Sequence, residues 1–309
     1  MADRLEELRI TDPVLSAIAL GYVDPEFVGE ALFPIVPVGK EAGKYLKFGK
    51  EAFRLHNAIR AIRTASARID LGVDYDDFHC EEYSLTAAID DRERDEAVEN
   101  LNPEIEATQA CMKGIMRVRE KRYADLARAS GNYAAGHYAT LTGDDQWSND
   151  NSNPIIEIKT QRNLVASKIG VMPNTLLLGL DAYSALQDHP AVIERIKYSE
   201  RGVITVDLLQ ALMDIPRIVV GMSMYASGTP GSETFTSIWG KDAVLAYVPG
   251  QPARRRPSYG YTFRRSGYPK TPRAYRDEAC DSDVVKTKDL TAEKMTSDVA
   301  GYLWINAAA

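Results

Sequence analysis

Few residues in this chain stand at the spacings that chemistry needs. The four histidines, His56, His79, His137 and His189, share neither an H-x-x-x-H nor an H-E-x-x-H spacing, so no pair of imidazoles shares a helix face around zinc. His79-Cys80 offers two donors, with no third ligand nearby. The cysteines, Cys80, Cys111 and Cys280, are odd in number and far apart, which excludes a disulfide framework and a C-x-x-C site and points to a reducing compartment. There is no G-x-S-x-G for a nucleophile elbow and no G-x-x-x-x-G-K-[ST] for a P-loop. The run from Gly228 to Ser232 reads as a turn, because no helix clearly follows to complete a phosphate cradle. TGDDQWSNDNSNP lacks the spacing of a calcium loop and reads as a solvated connector. Carboxylate pairs such as Asp76/Asp77 and Glu81/Glu82 do not name a general acid without a cleft. No catalytic residue, metal ligand or cofactor is assigned, and the chain reads as a non-enzyme.

Two stretches instead combine cations with aromatics. Lys44, Lys47, Phe48, Lys50, Phe53 and Arg54, followed by Arg60 and Arg63, form a basic ribbon. Residues 252–276 interleave Arg254, Arg255, Arg256, Arg264 and Arg265 with Tyr259, Tyr261, Phe263, Tyr268 and Tyr275. Such a composition suits a groove for single-stranded nucleic acid, where rings stack on bases and arginines meet phosphates. It equally suits a protein interface, and Pro252, Pro257, Pro269 and Pro272 suggest an extended surface segment. Contact between subunits is the favoured reading, with Arg254, Arg255, Arg264 and Arg265 meeting Asp74, Asp76, Asp77, Glu81 or Glu82 of another copy. On that reading, charge reversal at Arg264 and Arg265 blocks assembly and leaves the monomer folded.

The elements that position these residues follow from local pattern. Residues 3–10 suit a short helix, an arm on a neighbour or a frayed end, and the chain stays irregular up to Asp24. Pro25, Pro34 and Pro37 keep the entry extended. From Lys44 the ribbon reads as an extended hairpin whose second strand runs over Leu71–Ile89, with no sign of packing against its own domain. Asp90 or Asp91 caps a short helix; Asn102 and Pro103 open a second of about 27 residues, roughly 40 Å long, ending before Gly131. Pro154 opens a helix to about Ile169. Thr175–Leu180 is a buried strand, Asp181 caps the next helix, His189-Pro190 breaks it, and Val206–Met213 is helical. Apolar strands follow at Arg217–Met222 and within Ser237–Val248. From Asp281 the chain returns through polar residues to a last strand, GYLWIN, expected beside the hairpin strands.

At 309 residues, with 45% hydrophobic and 26% charged residues, the composition is globular and sufficient for one large domain or two ordinary ones. A formal net charge of −7 argues against a surface devoted to nucleic acid. No apolar run approaches the roughly 18 residues of a membrane span, and the acidic start is unlike a signal peptide, which points to the cytosol.

DPEFVGEALFPIVPVGKEAGKYLKFGKE, the acidic helix start, and HPAVIERIKYSERGVITVDLLQALMDIPRIVVG together resemble the major capsid proteins of tailed bacteriophages. The resemblance implies the α+β Hong Kong 97 fold. Its expected parts are an N-terminal arm (1–43), an E-loop with flanking strands (44–89), a P-domain with a long spine helix (90–153), an A-domain with the basic aromatic segment (154–280) and a C-terminal strand returning to the P-domain (281–309). It implies hexamers and pentamers in an icosahedral shell around a double-stranded DNA genome, assembled in the host cytoplasm. The DNA is held without sequence-specific binding. A portal, a decoration protein and, since arm-like sequence begins almost at Met1, a separate scaffolding protein are the expected partners. An encapsulin-type shell holding enzymes shares the fold and is the alternative; a soluble nucleic-acid-binding protein is more remote. Some relatives cross-link an E-loop lysine to an asparagine, but no asparagine or assisting carboxylate is identified for Lys44, Lys47 or Lys50.

Overall fold

The structure is a computed structural model describing residues 15, 18–19, 24, 26–47, 59–60, 63, 75–96, 102–196, 205–229, 231–252, 257–271 and 274–309. Leu15, Ile18 and Ala19 are helical, where an irregular arm was expected, and Ala19 is buried against Met112 and Met116. The entry closes in a 3-10 turn at Gly29–Ala31 and then forms β1 (Ile35–Val38). Next come β2 (Ala42–Leu46), β3 (Tyr75–His79) and β4 (Glu81–Asp90), the last two separated only by Cys80. Helix α1 (Asp91–Glu96) starts where Asp90 accepts the Arg92 N–H. Helix α2 (Pro103–Arg128) starts as its sequence demands: the Asn102 side chain accepts the Glu104 N–H, and Pro103 needs no donor in the first turn. Its 26 residues span roughly 39 Å.

Two sheets flank this helix. The first has the order β1-β11-β13-β12, with β4 along the other side of β13; here β11 is Gly260–Arg265, β12 Tyr275–Asp277 and β13 Ser282–Met295. The second is β5-β14-β10-β6-β7, built from Tyr138–Thr140, Gly301–Ile305, Ala243–Ala246, Thr175–Gly179 and Arg217–Gly221 respectively. Helices α3 (Pro154–Ile169), α4 (Leu180–Asp188), α5 (Pro190–Ile196) and α6 (Val206–Met213) belong to this second body. Strands β8 (Met224–Ser227) and β9 (Thr234–Ser237) form a separate hairpin, turned at Gly228–Ser232. Helix α3 ends on Gly170, whose φ of 70° lets its N–H reach the Ala166 carbonyl. The second core holds Trp147, Ile155, Ile158, Leu176, Leu178, Leu186, Leu209 and Trp304, all fully buried.

Four expectations require correction. The hairpin does pack on its own body at its root, where Tyr45 and Phe78 are buried against Phe263, and so does the entry before it: Leu32 and Phe33 are fully buried, Phe33 stacks on Tyr123 of α2 at 5.2 Å, and β1 pairs in parallel with β11. Residues 257–268 are not a surface ribbon; Tyr259, Tyr261 and Phe263 are buried, because β11 sits between β1 and β13. The last strand, β14, pairs with β10 and β5 in the second sheet, since its Tyr302, Leu303 and Trp304 are all core residues. What lies beside the hairpin strands is β13, a 14-residue strand within a segment read only as polar. The sheets therefore cross the expected linear boundaries: β11 and β12 lie within 154–280 yet join the first sheet, and β14 lies within 281–309 yet joins the second. The connector 131–153 is also less open than its composition suggests, burying His137 and Trp147.

Candidate functional site

The hairpin β2–β3 stands on the body through its root. Its register runs from Ala42 opposite His79 to Leu46 opposite Tyr75, and the basic ribbon continues beyond that last pair. At the root Tyr45 and Phe78 are buried against Phe263, with Phe78 and Phe263 stacked at 4.4 Å, on the face of the first sheet that also carries Leu290 and Ala292. Gly43 is required here: a Cβ would come within 2.9 Å of the Phe78 ring. Lys44 is exposed opposite Asp77, and Lys47 places its Nζ 3.0 Å from Asp76. Asp76 also accepts the Asp77 N–H and the Tyr45 hydroxyl, and these contacts, led by Lys47, hold its carboxyl down at about 2. Burial, then the hydrogen bond to Asp76, pushes the Tyr45 phenol above its ordinary range.

The opposite face of the same sheet meets α2 through charges. Along β13, Asp289, Thr291 and Glu293 point one way by the period of a strand, and Thr262 and Arg264 of β11 share that face. From α2, Arg119 bonds Asp289 at 3.2 Å and also pairs with Glu30; Arg122 bonds Glu293 at 2.7 Å and lies over the Tyr83 ring at 3.7 Å. Tyr123 hydrogen-bonds Thr262 at 2.7 Å. Arg119 and Asp289 are almost wholly buried, so each is a charge that can exist there only with its partner. Burial, only partly offset by Arg122, pushes the Glu293 carboxyl up.

Next to Arg119 in the helix, Glu120 ties the entry to the second body. Its Oε1 accepts the Val28 N–H at 3.0 Å, the Gly29 N–H at 3.0 Å and the Trp239 indole N–H at 2.6 Å. A Cβ on Gly29 would meet Tyr123 at 2.3 Å, so only glycine allows this approach. Next to it, Arg128 pairs with Asp242 and donates to the Ile238 carbonyl at 3.1 Å.

The expected site residues therefore divide. Lys44 and Lys47 lie at the hairpin root, and Arg60 and Arg63 are exposed. Phe48, Lys50, Phe53, Arg54, Arg254 and Arg255 lie outside the described residues. Arg264 and Arg265 do not await a partner copy: Arg264 bonds Asp289 at 2.9 Å and Arg265 pairs with Glu41, both in the same chain. Two of their expected acids are also engaged within the chain, Asp76 by Lys47 and Glu82 by Lys288. The base-stacking reading loses three of its five rings, because Tyr259, Tyr261 and Phe263 are sealed in the sheet, while Tyr268 is half-buried and Tyr275 exposed. Sequence reasoning passed over Arg119, Glu120, Asp289 and Glu293. The available signal was phase, since Arg119 falls on the same α2 stripe as Met112, Ile115 and Met116.

Among the described residues, the arrangement that resembles a catalytic dyad is structural. Ser152 and His189 Nε2 lie 3.1 Å apart, but the Ala191 N–H donates to Nδ1, which leaves the ring proton on Nε2 and no base facing the serine. Among the described residues no three His, Cys, Asp or Glu gather as metal ligands, and no helix is long and apolar enough to cross a membrane.

The sequence profile of the family described as phage major capsid protein E matches residues 110–259, which takes in most of α2 and the second body up to the start of β11. A major capsid protein of Burkholderia phage BcepMu is 40% identical over 308 residues, 97% of each chain. The chain belongs to the phage major capsid proteins. A crystal structure of a phage-related protein from Bordetella bronchiseptica RB50 superposes with a TM-score of 0.82 at 33% identity, covering 97% of this chain and 98% of that one. The capsid of cyanophage P-SCSP1u, at 8% identity, shares the fold with a TM-score of 0.57 over 90% of this chain and 88% of that chain. The fold is the α+β Hong Kong 97 capsid fold, and the work of this family member is structural, within the virion shell. Membership among phage capsid proteins favours a genome container over the encapsulin alternative.

Proposed function

We propose that copies of this chain close into an icosahedral shell of hexamers and pentamers around double-stranded DNA, with the ribbon beyond β2–β3 reaching onto neighbouring subunits. The observation that carries this reading is the hairpin root: β2 and β3, anchored on the sheet by Tyr45 and Phe78, bracket the basic segment that lies between Leu46 and Tyr75 in the sequence. An isolated two-stranded ribbon is marginal in water, so its far end gains stability from another molecule. Lys44, Lys47, Phe48, Lys50, Phe53, Arg54, Arg60 and Arg63 make that contact, with Arg254 and Arg255 at a second surface. A separate scaffolding protein sets the curvature, a portal occupies one vertex, and a decoration protein binds the finished shell, all in the host cytoplasm. The net charge of −7 keeps the lining from adhering to the genome. Negative-stain electron microscopy and size-exclusion chromatography, with and without the scaffolding partner, test this. Closed particles are expected; a monodisperse small species under both conditions would refute it.

A further inference from the structure

The hairpin β8–β9 turns an apolar face to solvent. Its register sets Ala226 opposite Phe235 on one face, with Met224 beside them, and Tyr225 opposite Thr236 on the other. Tyr225 turns inward: it is half-buried against the core that holds Tyr123 and Trp239, and Lys121 of α2 lies over its ring at 5.7 Å. The face with Met224 and Phe235 therefore points away from the body, and Phe235 is 74% exposed. Met222, one strand period earlier, is exposed with them, while Ser223 between the two methionines is wholly buried. Exposed ribbons are normally kept apart by charge. Residues 218–240 hold a single charged side chain, Glu233, in a chain that is 26% charged. An uncharged face of methionine and phenylalanine has the composition of an interface core.

A surface that fits it lies at the far end of the same strands. Among the described residues one other methionine is exposed, Met172, next to exposed Val171 in the turn after α3. Strands β6 and β7 are parallel, with Thr175 opposite Arg217 and Gly179 opposite Gly221. Val171 and Met172 precede Thr175, whereas Met222 and the hairpin follow Gly221, so the two apolar surfaces start from opposite ends of strands roughly 16 Å long. Their charges are complementary. The Val171–Met172 turn is flanked by Lys168, in the last turn of α3, and by Arg217, and both are exposed with no acidic partner among the described residues. Asp214, three residues before Arg217, is held by Arg162. Glu233, two residues from Phe235, is exposed with no basic partner among the described residues. One apolar tip thus stands between cations, and the other carries a lone anion.

We infer that the Met224–Phe235 face of hairpin β8–β9 seats on the Val171–Met172 turn of a second copy, with Glu233 meeting Lys168 or Arg217, a deepening that rests on the shell reading above. The contact is head-to-tail: each second body presents the hairpin at one end of β6 and β7 and the turn at the other. Unlike a twofold contact, which stops at a pair, it continues from copy to copy and closes when the rotation returns to its start. Methionine suits this place, because its unbranched thioether repacks readily and lets the same two surfaces meet in rings of five and of six. A partner that set a charge on the Phe235 face would leave it without a counter-ion, which excludes much of this protein's own charged surface.

The test places one charge on each side in the full-length chain: Phe235→Asp, Met172→Lys, and the two combined. Both positions are exposed, so all three variants should keep the wild-type urea midpoint. Assembled with the scaffolding partner, each single variant should lose at least tenfold in particle yield by size exclusion, and the combination should recover most of it, because the introduced carboxylate then faces the introduced ammonium. Normal yield from either single variant, or a folded combination that stays unassembled, would overturn the contact. Should a variant fail to fold, a chain with Met172→Cys and Phe235→Cys is assembled and oxidised with diamide, with Cys280→Ser removing the exposed native thiol. A ladder of disulfide-linked chains longer than two on a non-reducing gel supports the head-to-tail seat; monomers, or dimers alone, refute it. If Phe235→Asp loses the scaffolding protein on co-purification and the cysteine chain gives no ladder, that protein covers the hairpin and the contact between copies is refuted. Adverse results with normal wild-type particles remove this contact alone, whereas wild-type chains that form no particles remove the shell reading with it.

Discussion

Removing the Glu120 carboxylate should detach the entry segment from the spine helix, and the structure sets how much stability that costs. In Glu120→Ala, three donors lose their acceptor: the Val28 and Gly29 N–H groups and the Trp239 indole N–H. A buried donor left without a partner costs about 1–3 kcal/mol. Gly29 and Trp239 are sealed from solvent, whereas Val28 is half-buried and can recruit water, so two full penalties and part of a third apply. Against this, the variant no longer maintains a carboxylate in a site where burial raises its proton affinity. The net expectation is a loss of about 3–5 kcal/mol, a large part of a typical margin of ~5–15 kcal/mol. Glu120→Gln should cost far less, about 1–2 kcal/mol, because its remaining oxygen can occupy the position of Oε1, which takes all three donors, while its amide group then faces the Gly29 N–H across 2.9 Å. The assay is urea unfolding of the unassembled chain followed by tryptophan emission, with hydrogen exchange read at Val28 and Gly29. A Glu120→Ala chain within ~1 kcal/mol of wild type, with unchanged protection at those two amides, would refute the clamp.

Asp289→Ala should destabilise the subunit by about 3–5 kcal/mol, because it leaves the buried Arg119 and its neighbour Arg264 without their shared carboxylate; urea unfolding decides, and a neutral result would show the layer to be water-filled. By the same contacts, Arg264→Glu should fail as a folded monomer before it fails in assembly, visible as a lowered urea midpoint. The hairpin root should respond to acid. Asp76 titrates at about 2 in the fold against an ordinary 3.8, so its contribution is complete above the ordinary value and is lost as pH falls through about 2. Amide exchange at Tyr45 and Phe78 should therefore quicken over that window, and Asp76→Asn should abolish the dependence. Glu157 has the opposite sign: buried and accepting the indole N–H groups of Trp147 and Trp304, its carboxyl is raised, so its contribution is complete below 4.5 and is lost as pH rises through the folded value. Glu157→Gln should flatten that alkaline limb in urea midpoints measured against pH.

What was legible in the sequence is what local chemistry decides. Asn102 before Pro103 starts α2 and Asn153 before Pro154 starts α3, because a side-chain acceptor and a residue without an N–H solve the same first-turn problem wherever they occur. Thr175–Gly179, wholly buried, and Arg217–Gly221, partly buried beside it, are strands, and their short apolar runs say so. The first sheet was harder to read. Strand β13 has Asp289, Thr291 and Glu293 on one face and Leu290 and Ala292 on the other, so its polar residues look like exposure when they are in fact buried against arginines of α2. Arg264 misled in the same way, and the prolines around β11 reinforced the error. The second-sheet place of β14 depends on Ala243–Ala246, more than fifty residues away, and no local pattern encodes that pairing.

The charged layer explains why one subunit can present its ribbon in a defined direction. Apolar helix faces tolerate small slides, since any hydrophobic contact replaces another of similar size. The contacts of α2 with the first sheet do not: moving the helix by one turn, ~5.4 Å, would separate Arg119 from Asp289 and Arg122 from Glu293 and strand four charges, the first two fully buried. At its other end α2 is tied to the second body through Glu120 to Trp239 and Arg128 to Asp242. The hairpin root, which continues directly into β4, is thus held at a set orientation to both bodies before any neighbour arrives. Ordering a flexible arm on binding consumes free energy that each contact must recover, and a root already held in place reduces that demand. Exposed charge pairs between such a ribbon and a neighbouring subunit contribute only ~0–1 kcal/mol each. A rigid root is what allows contacts that weak, repeated around a closed ring, to select one geometry and still permit errors to dissociate.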